Sequence, residues 1–219
     1  MTARRDELAE QATDYALAHG LIGLSLRPLA EALGTSDRML LYHFRDKDDL
    51  VATILRATTA RSVGSIRALK PSADLRAAVL DLWRAVSSGA MQGCQRLYVE
   101  AAALGLFGRE PYVTEVREAN AAWMSALADH LVRSGVPADR AGRAAAMVDA
   151  TFMGLQIDQP LSTTPQQRRA IQDLADAVWA LWGPPQDEPF ETPRPSAPQD
   201  EPFETPRPSA PQDEQPGSA

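Results

Sequence analysis

Apolar side chains recur along this chain at helical spacing, and the strict alternation typical of strands is scarce. Alanine, leucine and arginine are abundant, and all three are good helix formers. Glycine and proline clusters interrupt the pattern, and helices usually end at such positions. We therefore predict an all-α fold of about nine helices, over 4–19, 26–33, 37–44, 47–68, 73–90, 93–107, 111–134, 138–157 and 166–182.

Two of the predicted helices are short and lie close together between residues 25 and 47. The first has an apolar stripe at i, i+3, i+4 and i+7 spacing, formed by Leu26, Leu29, Ala30 and Leu33. Ser25 precedes it as a candidate N-cap, and Gly34 follows it where a chain leaving a helix often turns left-handed. Two short helices joined by a tight turn are typical of a helix-turn-helix that docks on DNA.

The second short helix has two distinct faces. Thr35 or Ser36 can cap its start. Its core-facing positions are Leu40, His43 and Phe44. Its opposite face carries Asp37, Arg38, Tyr42 and Arg45. Such an exposed face can hydrogen-bond to base edges and phosphates.

The run G-T-S-x-x-x-L-x-x-H-F-x-x-K, from Gly34 to Lys47, resembles the signature of the TetR/AcrR family of transcriptional regulators. The resemblance implies that the second helix enters the major groove. It makes five residues candidates for base reading, namely Arg27, Asp37, Arg38, Met39 and Tyr42. It makes four candidates for contacts to the DNA backbone, namely Ser36, Tyr42, His43 and Lys47.

The motif departs from the family pattern at two positions. The family commonly has tyrosine directly after the conserved leucine, where this chain has Leu41, and its tyrosine follows one step later at Tyr42. A step of one residue turns a helical side chain by about 100°. Arg38 replaces a residue that is commonly small.

Other interpretations remain open: His43 as a polar residue beside the core, Lys47 as a solvated lysine, and Met39 and Leu41 as packing residues.

The chain divides into three predicted segments. Residues 1–47 form a helix-turn-helix DNA-binding domain with a three-helix head, and residues 48–182 form a larger helical body for effector binding and dimerisation. Residues 183–219 form a disordered, proline-rich acidic tail. The helix at 47–68 links head to body, with Asp46 as its cap and a packing stripe that includes Leu50, Ile54 and Leu55. Tilting that helix would move the second short helix, the one that the resemblance places in the major groove.

The middle helices carry many large or soft side chains that can line a pocket for an apolar or aromatic molecule. The candidate ligand-binding residues are Trp83, Met91, Tyr98, Phe107, Trp123, Met124 and Phe152. The alternative for each is ordinary core packing. Three polar residues within apolar stretches, Glu100, His130 and Asp149, could orient a ligand, although solvent exposure explains each more simply.

The family resemblance implies that the last two helices form a dimer interface as a four-helix bundle. One stripe comprises Ala144, Met147, Val148, Thr151, Phe152 and Leu155, and the other comprises Ile171, Leu174, Ala175, Val178 and Trp182. The alternative is that both stripes are buried within one monomer. A two-fold dimer would place two recognition helices about one DNA turn apart, on an inverted-repeat operator.

Charge is informative only once it is divided along the chain. The net charge of −7 argues against a protein that binds nucleic acids non-specifically through its overall charge. Residues 183–219 hold 2 basic and 8 acidic side chains, so the acidity is concentrated there. That segment repeats PQDEPFETPRPSA at 185–197 and 198–210, and its composition predicts disorder. The repeat is either a passive tail or a proline-rich docking site.

Several classes of protein are disfavoured. One cysteine, Cys94, cannot form a disulfide framework within one chain, and the three histidines show no metal spacing or nucleophile-base motif. We therefore expect no cofactor, no metal and no catalytic residues. No membrane-length apolar run and no signal-peptide pattern occurs, which predicts a cytoplasmic protein.

The leading hypothesis is a ligand-responsive DNA-binding regulator, a repressor that binds double-stranded DNA as a homodimer and is released by a small-molecule effector. A helical small-molecule-binding protein or enzyme without operator binding is the first alternative. A helical adaptor that uses the proline-rich tail is the second.

Overall fold

The computed structural model describes residues 2–158 and 163–183 of the chain. Within that part, the chain forms nine helices and no strand, so the predicted all-α architecture is confirmed. The helices are α1 (Thr2–His19), α2 (Leu26–Ala32), α3 (Asp37–His43), α4 (Lys47–Arg67), α5 (Leu75–Val86), α6 (Gly89–Leu106), α7 (Tyr112–Arg133), α8 (Ala141–Ile157) and α9 (Thr164–Trp182). The predicted disorder of the tail concerns residues that, from 184 onward, lie outside the described part.

The start of α6 differs from the prediction by four residues. The prediction starts this helix at 93, but α6 begins at Gly89 and runs through Gly93. A Cβ at Gly93 would lie 3.3 Å from Leu17 Cδ2, so this glycine permits the close approach of α1 to α6. The residue serves interhelical packing and does not end a helix.

The two turns that frame α3 use local hydrogen bonds. Gly34 adopts the predicted left-handed conformation with φ +64°, and Ser36 Oγ accepts a hydrogen bond from the Met39 backbone N–H at 3.2 Å. Asp46 Oδ1 caps α4 in the same way, accepting from Asp49 N–H at 2.8 Å. Ser25 occupies the predicted N-cap position of α2, but its side chain makes no capping hydrogen bond, so that part of the prediction is wrong.

The head has a compact apolar core that continues into the body. The largest of its fully buried side chains are Leu8, Leu21, Leu29, Leu40 and Phe44. The same core includes Leu50 and Ile54 of α4 and Leu97 and Ala101 of α6. The head therefore rests on α4 and α6, both of which pack against α1.

A second core fills the body, where α4 packs against α7, α5 against α9 and α7 against α8. The predicted stripe on α9, from Ile171 to Trp182, is buried within the single chain. On α8, Ala144, Val148 and Phe152 are buried as well. Burial within one monomer, the alternative interpretation of these stripes, therefore accounts for these side chains.

Candidate nucleic-acid interface and ligand cavity

One face of α3 is anchored and the other is exposed. Leu40 is fully buried and Phe44 is 1% exposed, whereas Tyr42 is 65% exposed and Met39 is 45% exposed. The other candidate DNA contacts that are exposed are Arg27, Ser36, Asp37, Arg38 and Lys47. Core packing is the wrong interpretation for Met39 and for Leu41, which is 44% exposed, because only Leu40 and Phe44 of this short segment reach the core.

The positive charges of the head fall into two groups. Arg27, Arg38 and Lys47 form no ion pair within 4 Å among residues 2–158 and 163–183. Arg4 pairs with Glu7 at 2.6 Å, and Arg45 approaches Asp46 at 3.8 Å. The exposed cations without acidic partners thus lie on α2, on α3 and at the start of α4.

Arg5 has an internal role that sequence reasoning missed. Its Nε donates to the backbone carbonyl of His43 at 3.2 Å, and its guanidinium lies 4.9 Å from the centre of the Phe44 ring. Asp49 Oδ2 lies 3.6 Å from the same guanidinium. Arg5 therefore ties α1 to the C-terminal end of α3 and to the first turn of α4.

His43 is half-buried at the end of α3. Its ring meets the Tyr42 ring edge to face, with the ring centres 5.2 Å apart. Because Arg5 binds its backbone carbonyl, His43 has a defined position while part of its ring remains accessible. The candidate backbone contacts Ser36, His43 and Lys47 lie at the two ends of α3 and the start of α4.

The body contains a partly enclosed cavity between α4, α6, α7 and α8. Two of the predicted ligand-binding residues, Tyr98 and Trp123, line it. Polar lining residues include Thr58, Thr59, Ser62, Gln95, Asn120, Glu115 and Asp149, and apolar ones include Leu55, Val63, Val116 and Met153. An aromatic wall combined with a few converging polar groups is typical of small-molecule sites.

Five other predicted ligand-binding residues lie away from this cavity. Met91 and Phe152 are buried in the body core, Met124 packs against that core, and Trp83 packs on Phe152 with ring centres 5.1 Å apart. Phe107 is 82% exposed, because it follows the last turn of α6 in a loop that turns away from the core. Trp83 lines a separate pocket between α5 and α6, and the size and softness of these five residues did not indicate the wall of the cavity described above.

Two carboxyl groups give the cavity its electrostatic character. Asp149 Oδ1 accepts a hydrogen bond from Trp123 Nε1 at 2.7 Å; burial raises the pKa of Asp149, and this hydrogen bond opposes the increase. Glu115 is only 8% exposed; burial raises the pKa of Glu115, and Arg56, 3.5 Å away, opposes the increase. Burial, followed by the nearby Asp149, raises the pKa of Tyr98.

Two other polar residues of the body are structural. Glu100 Oε2 accepts hydrogen bonds from the backbone N–H groups of Leu21 and Ile22, at 2.5 and 2.8 Å. His130 is fully buried with Nε2 3.5 Å from Ser72 Oγ. Solvent exposure is therefore the wrong explanation for Glu100 and His130, and neither residue lines the cavity.

The described residues contain neither a clustered set of metal-ligand side chains nor a helix of membrane-spanning character. No group of three or more histidine, cysteine, aspartate or glutamate side chains there is arranged to hold a metal ion. Among the helices of the same ranges, none is both long and apolar enough to cross a membrane.

Comparison with known proteins identifies the type of head. The family model of bacterial regulatory proteins of the tetR family matches residues 8–54, which include α2, α3 and the start of α4. A search of curated proteins found no match. The likeness to this family model thus covers the helix-turn-helix head.

Solved structures extend the likeness to the body. A transcriptional regulator from Rhodococcus sp. Rha1 is 21% identical, covers 83% of this chain and 99% of its own, and superposes with a TM-score of 0.68. The multidrug binding protein EbrR, solved with imidazole, is 22% identical with a TM-score of 0.60, and the match covers 84% of this chain and 97% of EbrR. A TetR-family regulator from Mesorhizobium loti is 18% identical with a TM-score of 0.59, and the match covers 84% of this chain and 99% of that regulator.

These matches define the fold. The chain combines a TetR-type helix-turn-helix with the all-helical body of TetR-family transcriptional regulators. It has the fold of a TetR-family DNA-binding transcriptional regulator.

Proposed function

We propose that this protein is a ligand-responsive repressor that binds an inverted-repeat operator as a homodimer and leaves it when a small molecule occupies the body cavity. The exposed face of α3 carries the proposal, because Arg38, Met39 and Tyr42 project from a helix whose other face is fixed in the core. In this account the protein acts in the cytoplasm, where operator DNA lies.

The candidate DNA contacts divide by chemistry. Arg38 is suited to two parallel hydrogen bonds with a guanine edge, and Met39 to apolar contact with a thymine methyl group. Arg27, Asp37 and Tyr42 are the remaining proposed base readers. Ser36, Tyr42, His43 and Lys47 are proposed to contact phosphates, which position the protein without reading sequence.

The outward faces of α8 and α9 are the proposed dimer surface. On α8, Ala146, Ala150 and Gly154 are exposed and small, so a second helix can approach closely. On α9, Leu181 is 56% exposed. Because the α9 stripe is already buried within the chain, dimerisation would use these outward residues. A two-fold pair would present two α3 helices about one DNA turn apart.

Two helices can couple the cavity to the head. On α6, Gln95 and Tyr98 line the cavity while Arg96 donates to the Leu17 carbonyl and Glu100 binds the loop between α1 and α2. On α4, Leu55 and Thr58 line the cavity, and Asp49 in the first turn of the helix accepts a hydrogen bond from the Arg45 backbone N–H, just after α3, at 3.0 Å. An effector that favours another tilt of these helices would alter the spacing of the two heads.

A footprint on DNA flanking the gene for this protein tests the proposal. We expect a protected inverted repeat with the unaltered protein. We also expect Arg38→Ala to relax base preference by about 1–3 kcal/mol at one base pair of each half-site, and Lys47→Ala to weaken all sequences alike with a smaller salt dependence.

Matched control variants lie outside the head. Arg67 and Lys70 are exposed near the other end of α4, so Arg67→Ala and Lys70→Ala should leave the footprint unchanged. Unchanged binding in Arg38→Ala and Lys47→Ala, or equal loss in all four variants, would refute the assigned DNA contacts. Absence of any protected duplex would refute the proposed function.

A further inference from the structure

The body cavity has an unequal balance of charge. Its lining includes the carboxyl groups of Glu115 and Asp149, but it includes no arginine or lysine among the described residues. Arg56 reaches Glu115 with its own side chain 58% exposed to solvent. The cavity therefore offers a bound molecule two acidic groups and no cation in its wall.

Asp149 lacks a cationic partner. The group to which it is hydrogen-bonded is the neutral indole N–H of Trp123, at 2.7 Å, and it forms no ion pair within 4 Å in the described part of the chain. A half-buried carboxylate without a counter-charge is costly, because burial disfavours its ionised form. Consistent with this cost, burial raises the pKa of Asp149. A ligand that brought a positive charge would remove the imbalance.

Glu115 has only a partial counter-charge. Its side chain is 9% exposed, and the closest approach of Arg56 is 3.5 Å, from Nε. This distance is longer than the roughly 2.7–2.9 Å of a strong charged hydrogen bond. Both acids line a cavity that Trp123 also lines, so its wall offers an aromatic side chain beside the two carboxyl groups.

We infer that the cavity binds a small organic cation, an ammonium or amidinium group attached to an aromatic or apolar body, with Asp149 as the principal charge partner and Glu115 as the second. The positive group lies against the carboxylates, and the apolar body lies against Trp123, Tyr98 and the aliphatic side chains of α4 and α7. That this molecule is the effector rests on the proposed function, but its binding does not.

The same arrangement disfavours anions. An acidic ligand of equal size would place its charge near two carboxylates in a site of reduced dielectric constant, where like charges repel strongly. A neutral ligand would leave Asp149 without a counter-charge. The predicted order of affinity is therefore cation, then neutral molecule, then anion.

Three probes of nearly equal shape test this order: benzamidine, benzamide and benzoate, together with the naphthalene analogue of each. Calorimetric titration of the full chain without DNA measures their binding. We expect each amidine to bind at least about tenfold more tightly than its amide, and each carboxylate to bind more weakly than its amide.

The decisive variant is Asp149→Asn. The asparagine carbonyl can still accept the Trp123 N–H, so the change removes charge and retains the hydrogen bond. We expect the preference for the amidine to fall below about threefold. The thermal stability of the unliganded protein should be unchanged or higher, because a buried charge is removed. Glu115→Gln should reduce the preference by a smaller factor.

Asp139→Asn is the matched control, because Asp139 has a side chain that is 80% exposed and does not line the cavity. It should retain the full preference. Tighter binding of the carboxylates, a preference that survives both Asp149→Asn and Glu115→Gln, or no binding of any amidine overturns the inference.

The failure of this inference differs from the failure of the proposed function. If the protein binds cations selectively but gives no footprint, the cation site is retained and the proposed regulatory function is refuted. If the protein gives a footprint but shows no selectivity for cations, the proposed regulatory function is retained and the cation site is refuted.

Discussion

The guanidinium of Arg5, on α1, donates from Nε to the backbone carbonyl of His43, at the end of α3, across 3.2 Å. The two residues are 38 positions apart in sequence. The Phe44 ring lies against the same guanidinium, with 4.9 Å between its centre and Cζ. One side chain therefore holds the end of the proposed recognition helix against the first helix of the chain.

Arg5→Ala should destabilise the head. The change removes a hydrogen bond from a charged donor and the packing on Phe44, while 38% of the Arg5 side chain is exposed, so we expect a loss of about 1 kcal/mol in the free energy of unfolding. Chemical denaturation measures it. Arg4→Ala is the control, because its pair with Glu7 is largely exposed; an equal loss in both variants would contradict the role of Arg5.

Asp46→Ala should remove the cap of α4. Its carboxylate satisfies the Asp49 N–H at 2.8 Å, and loss of such a cap costs about 1 kcal/mol. Asp46→Asn retains an acceptor and should be close to the unaltered protein in denaturation. Asp48→Ala, in the same first turn but without the capping bond, should cost less; a greater cost there than in Asp46→Ala would count against the cap.

Several of these features could be predicted from the sequence because they are local. The stripe of α2, the left-handed turn at Gly34, the burial of Leu40 and Phe44 and the cap at Asp46 each depend on residues a few positions apart. Helical periodicity and capping chemistry act over that range. The turns and the buried positions of the helix-turn-helix were therefore predictable, whereas the Ser25 cap was not.

The distant pairs could not be predicted in the same way. Glu100 binds the Leu21 amide from 79 positions away, and Trp123 reaches Asp149 from 26 positions away. The sequence contains a weak signal in each case, an acidic residue within an apolar helical stretch, but periodicity does not identify its partner. The α9 stripe is similar, since an apolar face has the same spacing whether it covers α5 or a second chain.

Glu100→Gln should loosen the loop between α1 and α2. The glutamine carbonyl is a weaker acceptor than a carboxylate for the Leu21 and Ile22 amides, so those amides should exchange with solvent faster. Hydrogen exchange of the head, followed residue by residue, measures this change. Glu118→Gln, at an exposed position of α7, is the control. Unchanged protection of Leu21 and Ile22 in Glu100→Gln would show that the contact does not restrain the loop.

His130 should make folding sensitive to mild acid. Burial, followed by the nearby Arg133, lowers the pKa of His130 below its ordinary value of 6.5, so the unfolded chain takes up a proton more readily than the folded one. The stabilising contribution is full well above pH 6.5 and is lost as the pH falls through 6.5 toward the lower pKa of the folded protein. His130→Gln should flatten the decline in unfolding free energy between about pH 7 and 5.5. The exposed His19 provides the control, and a decline flattened equally by His19→Gln would contradict this assignment.

The central claim is that two copies of α3 act together on one duplex. Native mass spectrometry of the protein mixed with its footprinted duplex counts the protomers in the complex. The account predicts two protomers on a duplex with both half-sites, and a sharp loss of binding when one half-site is scrambled. A complex containing one protomer, or binding that is indifferent to the second half-site, would contradict it.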